Sequence, residues 1–126
     1  MGGFREEIRA AEDADLTYRL RAAGWEVERR EAASVVHLSR PSVRGFVRQR
    51  MLHGAGGAWL ERRYPGSVPP KRWPGLLWWS ARTAAKGLFR GAVRRDRDEL
   101  IQGLFGPLEN LSYELGRRRG NESPRP

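Results

Sequence analysis

The run His53-Gly54-Ala55-Gly56-Gly57 interrupts a stretch that otherwise reads as helix, and it limits what this chain can build. Phe46, Val47, Met51 and Leu60 recur at helical spacing up to about Tyr64, and Pro41 suits a first helical position with Ser39 or Arg40 near the cap. Glycine inside a helix costs about 1 kcal/mol relative to alanine, so such a run implies close packing of another element, or a kink. Around this segment the pattern gives three more helices. Ala14 to Ala23 carries Leu16 and Leu20 one turn apart, and Gly24 is placed to end it. A third helix runs from about Pro74 to Val93, after the linker Pro65-Gly66-Ser67-Val68-Pro69-Pro70. A fourth runs from about Arg95 to Leu115, with Leu100, Ile101, Leu104, Phe105, Leu108, Leu111 and Leu115 on one face and a kink expected at Gly106-Pro107. Two short alternating segments, Trp25 to Glu28 and Ser34 to Leu38, read as strands, so the expected class is α/β.

Charge divides the chain in two. Residues 1–36 carry 6 basic and 8 acidic side chains, whereas residues 37–126 carry 18 basic and 7 acidic, within a formal net charge of +9. The second part suits an anionic surface: phospholipid, nucleic acid or a phosphorylated substrate. GC-rich coding, which enriches Arg, Ala and Gly, is the bland alternative. There is no cysteine, which excludes disulfides, zinc–thiolate sites, iron–sulfur clusters and thiol catalysis. The uncharged stretch Trp73 to Ala81 is too short to span a bilayer, and the first residues lack the apolar run of a signal peptide. Glu6 stands where a myristoylation signal needs Ser or Thr.

Three features near the start can carry chemistry. Gly2-Gly3-Phe4 is a loop whose backbone can approach a ligand closely. Glu12-Asp13-Ala14-Asp15 opens a helix, where carboxylates are held by free backbone N–H groups. Three acids in four positions repel, which can raise one toward the range of a useful base. His37 ends the second strand. Read from the residues alone, Asp13 is more simply a helix N-cap than a base, and His37 more simply a hydrogen-bonded structural histidine than a ligand.

These residues together resemble a known pattern. Gly2-Gly3-Phe4, then Glu12-Asp13-Ala14-Asp15-Leu16-Thr17-Tyr18-Arg19-Leu20, then Gly24-Trp25, then Val35-Val36-His37 is similar to the C-terminal half of family 2 glycosyltransferases, which have the GT-A fold. The likeness covers about residues 2–65, including the arginine-rich helix with its central glycines. The resemblance implies an inverting transfer of a sugar from a nucleotide-sugar donor to an acceptor hydroxyl, on a glycan or lipid-linked acceptor. In it Asp13 is the general base, Glu12 its acidic neighbour, and Gly2, Gly3 and Phe4 the acceptor loop. It makes His37 a candidate ligand of a divalent metal, Mn or Mg, and Arg19 a structural arginine paired with a nearby acid. The nucleotide-binding half of such a domain and its Asp-x-Asp motif are missing, so the chain is expected to be a C-terminal piece, inactive alone. The Q-x-x-R-W motif of processive synthases is absent, since Arg50-Met51-Leu52-His53 follows Gln49, and a single transfer is expected.

The expected division is residues 1–40 as the C-terminal portion of a GT-A (nucleotide-diphospho-sugar transferase) domain, 41–65 as the flanking helix, 66–73 as linker, 74–116 as a basic amphipathic helical extension and 117–126 as a disordered tail. In the extension, Trp73, Trp78 and Trp79 precede a stripe of Arg82, Lys86, Arg90 and Arg94, opposite Leu77, Ala81, Ala84, Ala85, Leu88 and Ala92. That combination suits the headgroup layer of an anionic membrane. An ordinary helix packed on the catalytic domain is the alternative. The location implied is cytoplasmic, peripheral on the inner face of the cell membrane. The rival reading from another class is a non-catalytic basic module for anionic membrane or nucleic acid. Nucleic acid is not expected, because no helix-turn-helix, RRM or zinc pattern is present.

Overall fold

The computed structural model describes residues 2–28, 30, 35–36 and 42–123. It contains four helices: α1 (Glu12–Ala22), α2 (Val43–Arg63), α3 (Trp73–Arg94) and α4 (Arg97–Gly116). No strand occurs among the described residues, and the one extended pairing is an isolated antiparallel bridge between Ile8 and Glu122. The expected α/β class is therefore overturned: the described residues form an all-helical arrangement. The physical reason lies in pairing. Trp25 and Val27 alternate with polar residues, yet among the described residues no neighbouring strand offers a hydrogen-bonding ladder, and an isolated strand keeps its backbone groups in water. Trp25 is 61% exposed, and Val35 and Val36 are each 91% exposed. The other members of the second expected strand, with His37, lie outside the described residues.

α1 ends as its sequence predicts. Gly24 takes a positive φ of 82°, the Trp25 N–H donates to the Leu20 carbonyl (3.0 Å) and the Gly24 N–H to Arg21 (3.0 Å), which closes the last turn. Its start differs from expectation. Ala11, not Asp13, is the capping residue, in a left-handed conformation with φ 71° and no side-chain cap. Glu12, Asp13 and Asp15 instead fill the first turn, where the helix dipole favours them.

The glycines of α2 are there for contact. A Cβ at Gly54 would lie 1.9 Å from the Tyr113 carbonyl oxygen, and one at Gly57 would lie 2.0 Å from the Tyr113 hydroxyl. A Cβ on Gly116 of α4 would in turn lie 2.0 Å from the Met51 carbonyl oxygen. α2 and α4 thus touch backbone to backbone. α3 and α4 form an antiparallel hairpin by the same means, with Gly87 against Gly103, and Gly91 against Leu100. Asp96 caps α4 through hydrogen bonds from the Asp98 and Glu99 N–H groups (2.9 and 3.4 Å). α4 therefore stands between α2 on one side and α3 on the other.

The connection from α2 to α3 is held by carboxylates. Glu61 accepts the Gly66 and Val68 N–H groups at 2.8 and 2.7 Å, which holds its carboxyl below the usual range. Arg117 of α4's end donates to the Val68 carbonyl at 2.9 Å. Residues past α4 return to the start of the chain: the Arg9 N–H donates to Asn121 (2.9 Å), the Ser123 N–H to Glu7 (2.8 Å), and buried Asn121 Nδ2 to Ala10 (2.9 Å). The buried apolar side chains, Ile8, Ala10, Ala55, Ala58, Leu60 and Leu76, are mostly small. Burying Leu60 or Leu76 contributes roughly 1.5–3 kcal/mol each, so close helix contact and polar ties carry much of the rest.

Candidate functional site

The acidic first turn of α1 presents its carboxylates to two different surroundings. Asp15 points inward and is fully buried. Its Oδ2 accepts from Arg5 Nε (3.1 Å) and Arg19 Nε (2.8 Å), and its Oδ1 accepts from the Tyr64 hydroxyl (2.8 Å). Burial pushes this carboxyl up, but the hydrogen bonds from Tyr64 and Arg19 and the two guanidinium charges outweigh it, so Asp15 sits below the ordinary carboxylate value. Tyr64 is raised, first by burial and then because its hydroxyl is committed to Asp15. Its ring stacks on Tyr18 at 4.4 Å.

Arg19 carries this arrangement to the glycine loop. Its Nη1 and Nη2 donate to the Gly2 and Gly3 carbonyls at 3.1 and 2.7 Å. The structural role expected for Arg19 is therefore what the geometry gives it, and Asp15 is the acid it pairs with. Phe4, next in the loop, is 60% exposed.

Asp13 lies on the other side of the helix and is exposed. Its Oδ1 accepts the Ala14 N–H at 2.7 Å, and among the described residues its Oδ2 has no hydrogen-bond partner. Asp13 and Glu12 line a cleft of about 490 Å³ with Arg9, His53, Gly57 and Tyr113. The α1 start forms one wall, α2 a second, and Tyr113 of α4 closes it. Burial raises the Tyr113 hydroxyl above its usual value, with Arg117 opposing. The structure thus brings Asp13 and Glu12 together in one cleft. Gly2, Gly3 and Phe4 do not line it; they are anchored on the Asp15–Arg19 side of α1.

His53 and Tyr113 were not singled out by the sequence. The signal for His53 was present: it stands one turn before Gly57 and two before Leu60, on the face that meets the cleft. Nothing local in the sequence marks Tyr113, which arrives from a distant helix. Across α2, Arg5, Trp59, Arg62 and Arg63 line another cleft of about 330 Å³, whose guanidinium groups favour an anion.

Among the described residues no group of three or more His, Asp or Glu side chains gathers closely enough to hold a metal ion. His37 lies outside them. Among the described residues no helix is long and apolar enough to cross a membrane.

No family model matches the chain, and no solved structure matches it. Two curated proteins do: the pre-mycofactocin glycosyltransferases of Mycobacterium tuberculosis strains CDC 1551 / Oshkosh and ATCC 25618 / H37Rv, each 32% identical over 92 residues. The match takes in 71% of this chain and 20% of each relative, so the chain spans about a fifth of the length of the curated relatives it matches. The relationship the comparisons support is to a glycosyltransferase, over that fifth of its length.

Proposed function

We propose that this chain supplies the proton-accepting side of a family 2-like, inverting glycosyl transfer, with Asp13 as general base. The acceptor hydroxyl sits in the Glu12–Asp13–His53–Tyr113 cleft and attacks the anomeric carbon of a nucleotide-sugar. The new C–O bond forms as the bond to the diphosphate oxygen breaks. The nucleoside diphosphate leaves with that electron pair, and the acceptor proton passes to the Asp13 carboxylate.

The observation that carries this reading is the division of labour between the two aspartates. Asp15 is buried and spent on Arg5, Arg19 and Tyr64. A carboxylate with three donors and a lowered pKa is a poor base. Asp13 keeps an oxygen open at the edge of a cleft large enough for a sugar hydroxyl and its ring. The similarity to the mycobacterial glycosyltransferases supports the reaction class.

The test exchanges the matched segment of the mycobacterial relative for this chain and measures sugar transfer. Asp13→Asn keeps size and one acceptor oxygen but cannot take the proton, and turnover is expected to fall roughly 10²- to 10⁴-fold. Turnover within a few-fold of the parent would remove Asp13 as the base. Glu12→Gln, measured beside it, separates the two carboxylates of the cleft.

A further inference from the structure

α3 presents an apolar face that nothing in the described structure covers. Its inward side is made of Leu76, Ser80, Gly87 and Gly91, all buried, with the two glycines against α4. At about 100° per residue, Leu77, Trp78, Leu88, Phe89 and Val93 fall on the opposite arc. They are 53%, 68%, 48%, 71% and 68% exposed. Ala81, Ala85 and Ala92 fill the spaces between them and are exposed too. The packed-helix alternative raised by the sequence placed this apolar side against the catalytic domain. The structure packs the glycine side instead and turns the bulky side outward.

On α3 itself the charge beside that face is of one sign, while Glu99 and Glu109 of α4 share a cleft with Lys86 and Arg90. Arg82, Lys86 and Arg90 form a row along one edge of the apolar arc, all exposed, and α3 contains no acidic residue. Trp79 sits in the same row, 43% exposed. The helix is 22 residues long, roughly 33 Å at 1.5 Å per residue, which allows it to lie flat but gives it too much charge to cross.

We infer that α3 docks in the plane of an anionic lipid bilayer, with Leu77, Trp78, Leu88, Phe89 and Val93 in the acyl boundary and Arg82, Lys86 and Arg90 on the phosphates. A wide apolar face edged by cations, with tryptophans at headgroup level, is how an interfacial helix gains both area and charge attraction. A second copy of the chain fits poorly. Pairing two such faces would bring one row of cations up to another with no acid on either helix. Because α4 separates α3 from α2, the Asp13 cleft stands on the far side of the helix pair from the bilayer, open to the aqueous side. The inference does not rest on the transferase reading; it stands on α3 alone.

Flotation of the whole 126-residue chain with vesicles tests it, using pure phosphatidylcholine and phosphatidylcholine mixed with phosphatidylglycerol. Binding to the anionic vesicles is expected, with release at high salt and a blue shift of tryptophan emission. Arg82→Glu/Lys86→Glu/Arg90→Glu should weaken anionic binding by at least on the order of 100-fold, about five-fold or more per cation removed. Leu88→Ser/Phe89→Ser, at exposed sites where the fold is not at risk, should weaken it about ten-fold or more. Equal partitioning to both vesicle types, or no flotation with either, would overturn the proposal. So would sedimentation as a dimer that Leu88→Ser/Phe89→Ser dissociates, since the face would then be covered by a second copy.

Discussion

Tyr64, at the end of α2, donates its hydroxyl to the buried carboxylate of Asp15 in α1 at 2.8 Å. This bond ties α1 to the helical core, and it does so at the residue that also holds Arg5 and Arg19. The glycine loop, α1 and α2 therefore share one anchoring carboxylate.

Removing that anchor should cost stability in a graded way. Tyr64→Phe leaves the carboxylate with its two arginines and should destabilise by roughly 1–3 kcal/mol. Asp15→Asn leaves two guanidinium groups facing a neutral amide and should cost more, about 3 kcal/mol. Urea unfolding followed by circular dichroism measures both. Equal and negligible losses would show that α1 is held by something else.

Acid should unfold the chain through the same group. The folded Asp15 carboxyl lies below its ordinary value, so the unfolded chain binds the proton more readily and stability rises with pH through this range. The contribution is fully present above the ordinary aspartate range and is lost as pH falls through it and below. Glu61, lowered by the Gly66 and Val68 N–H groups, and Glu7, lowered by the Arg5 hydrogen bond, act in the same direction. Unfolding free energy measured between pH 7 and pH 3 should decline, and the decline should be shallower in Asp15→Asn. An unchanged slope in that variant would remove Asp15 from the account.

The helix contacts predict a sharp contrast among glycines. Gly54→Ala must push the Tyr113 backbone and should cost roughly 1–3 kcal/mol or more. Gly75→Ala, in the first turn of α3 with nothing within 4 Å of the new methyl, should be neutral or stabilise by up to about 1 kcal/mol. Thermal melts of the two variants decide it. Similar melting points would mean that α2 and α4 do not approach this closely in solution.

What could be read ahead of the structure follows from range. Gly24 ends α1 because a left-handed residue is a local requirement, and Gly54 to Gly57 left close packing or a kink, between which only the Tyr113 contacts decide. The strand at Trp25 to Glu28 failed for the converse reason: alternation is local, but a strand exists through its partner. Asp13 and Asp15 look alike in sequence, and what separates them is Arg5 and Arg19 nearby together with Tyr64, 49 residues beyond Asp15. The start of α1 was also hidden, since Asp13 is the better capping residue by type and Ala11 takes the position.

That start supplies the final prediction. Ala11 is left-handed, with φ 71° and ψ 19°, immediately before Glu12 and Asp13. A residue with a Cβ pays about 1 kcal/mol or more there, so something must hold it. The clamp is Asn121, whose Nδ2 donates to the Ala10 carbonyl while its own carbonyl accepts the Arg9 N–H. Ala11→Gly should relieve the strain and stabilise modestly, by less than about 1 kcal/mol once the added freedom of the unfolded chain is deducted. Ala11→Val should destabilise by at least 1–2 kcal/mol or so, because a β-branched residue resists this conformation most. Asn121→Ala should cost roughly 1–3 kcal/mol by leaving the buried Ala10 carbonyl without its donor. In combination with Ala11→Gly the Asn121→Ala loss should shrink, since the clamp no longer opposes strain. A double-mutant cycle in urea reads this coupling directly. Strict additivity, with Ala11→Val as stable as the parent, would mean that the left-handed entry to α1 is not populated in solution and that the Asp13 carboxylate is not positioned by it.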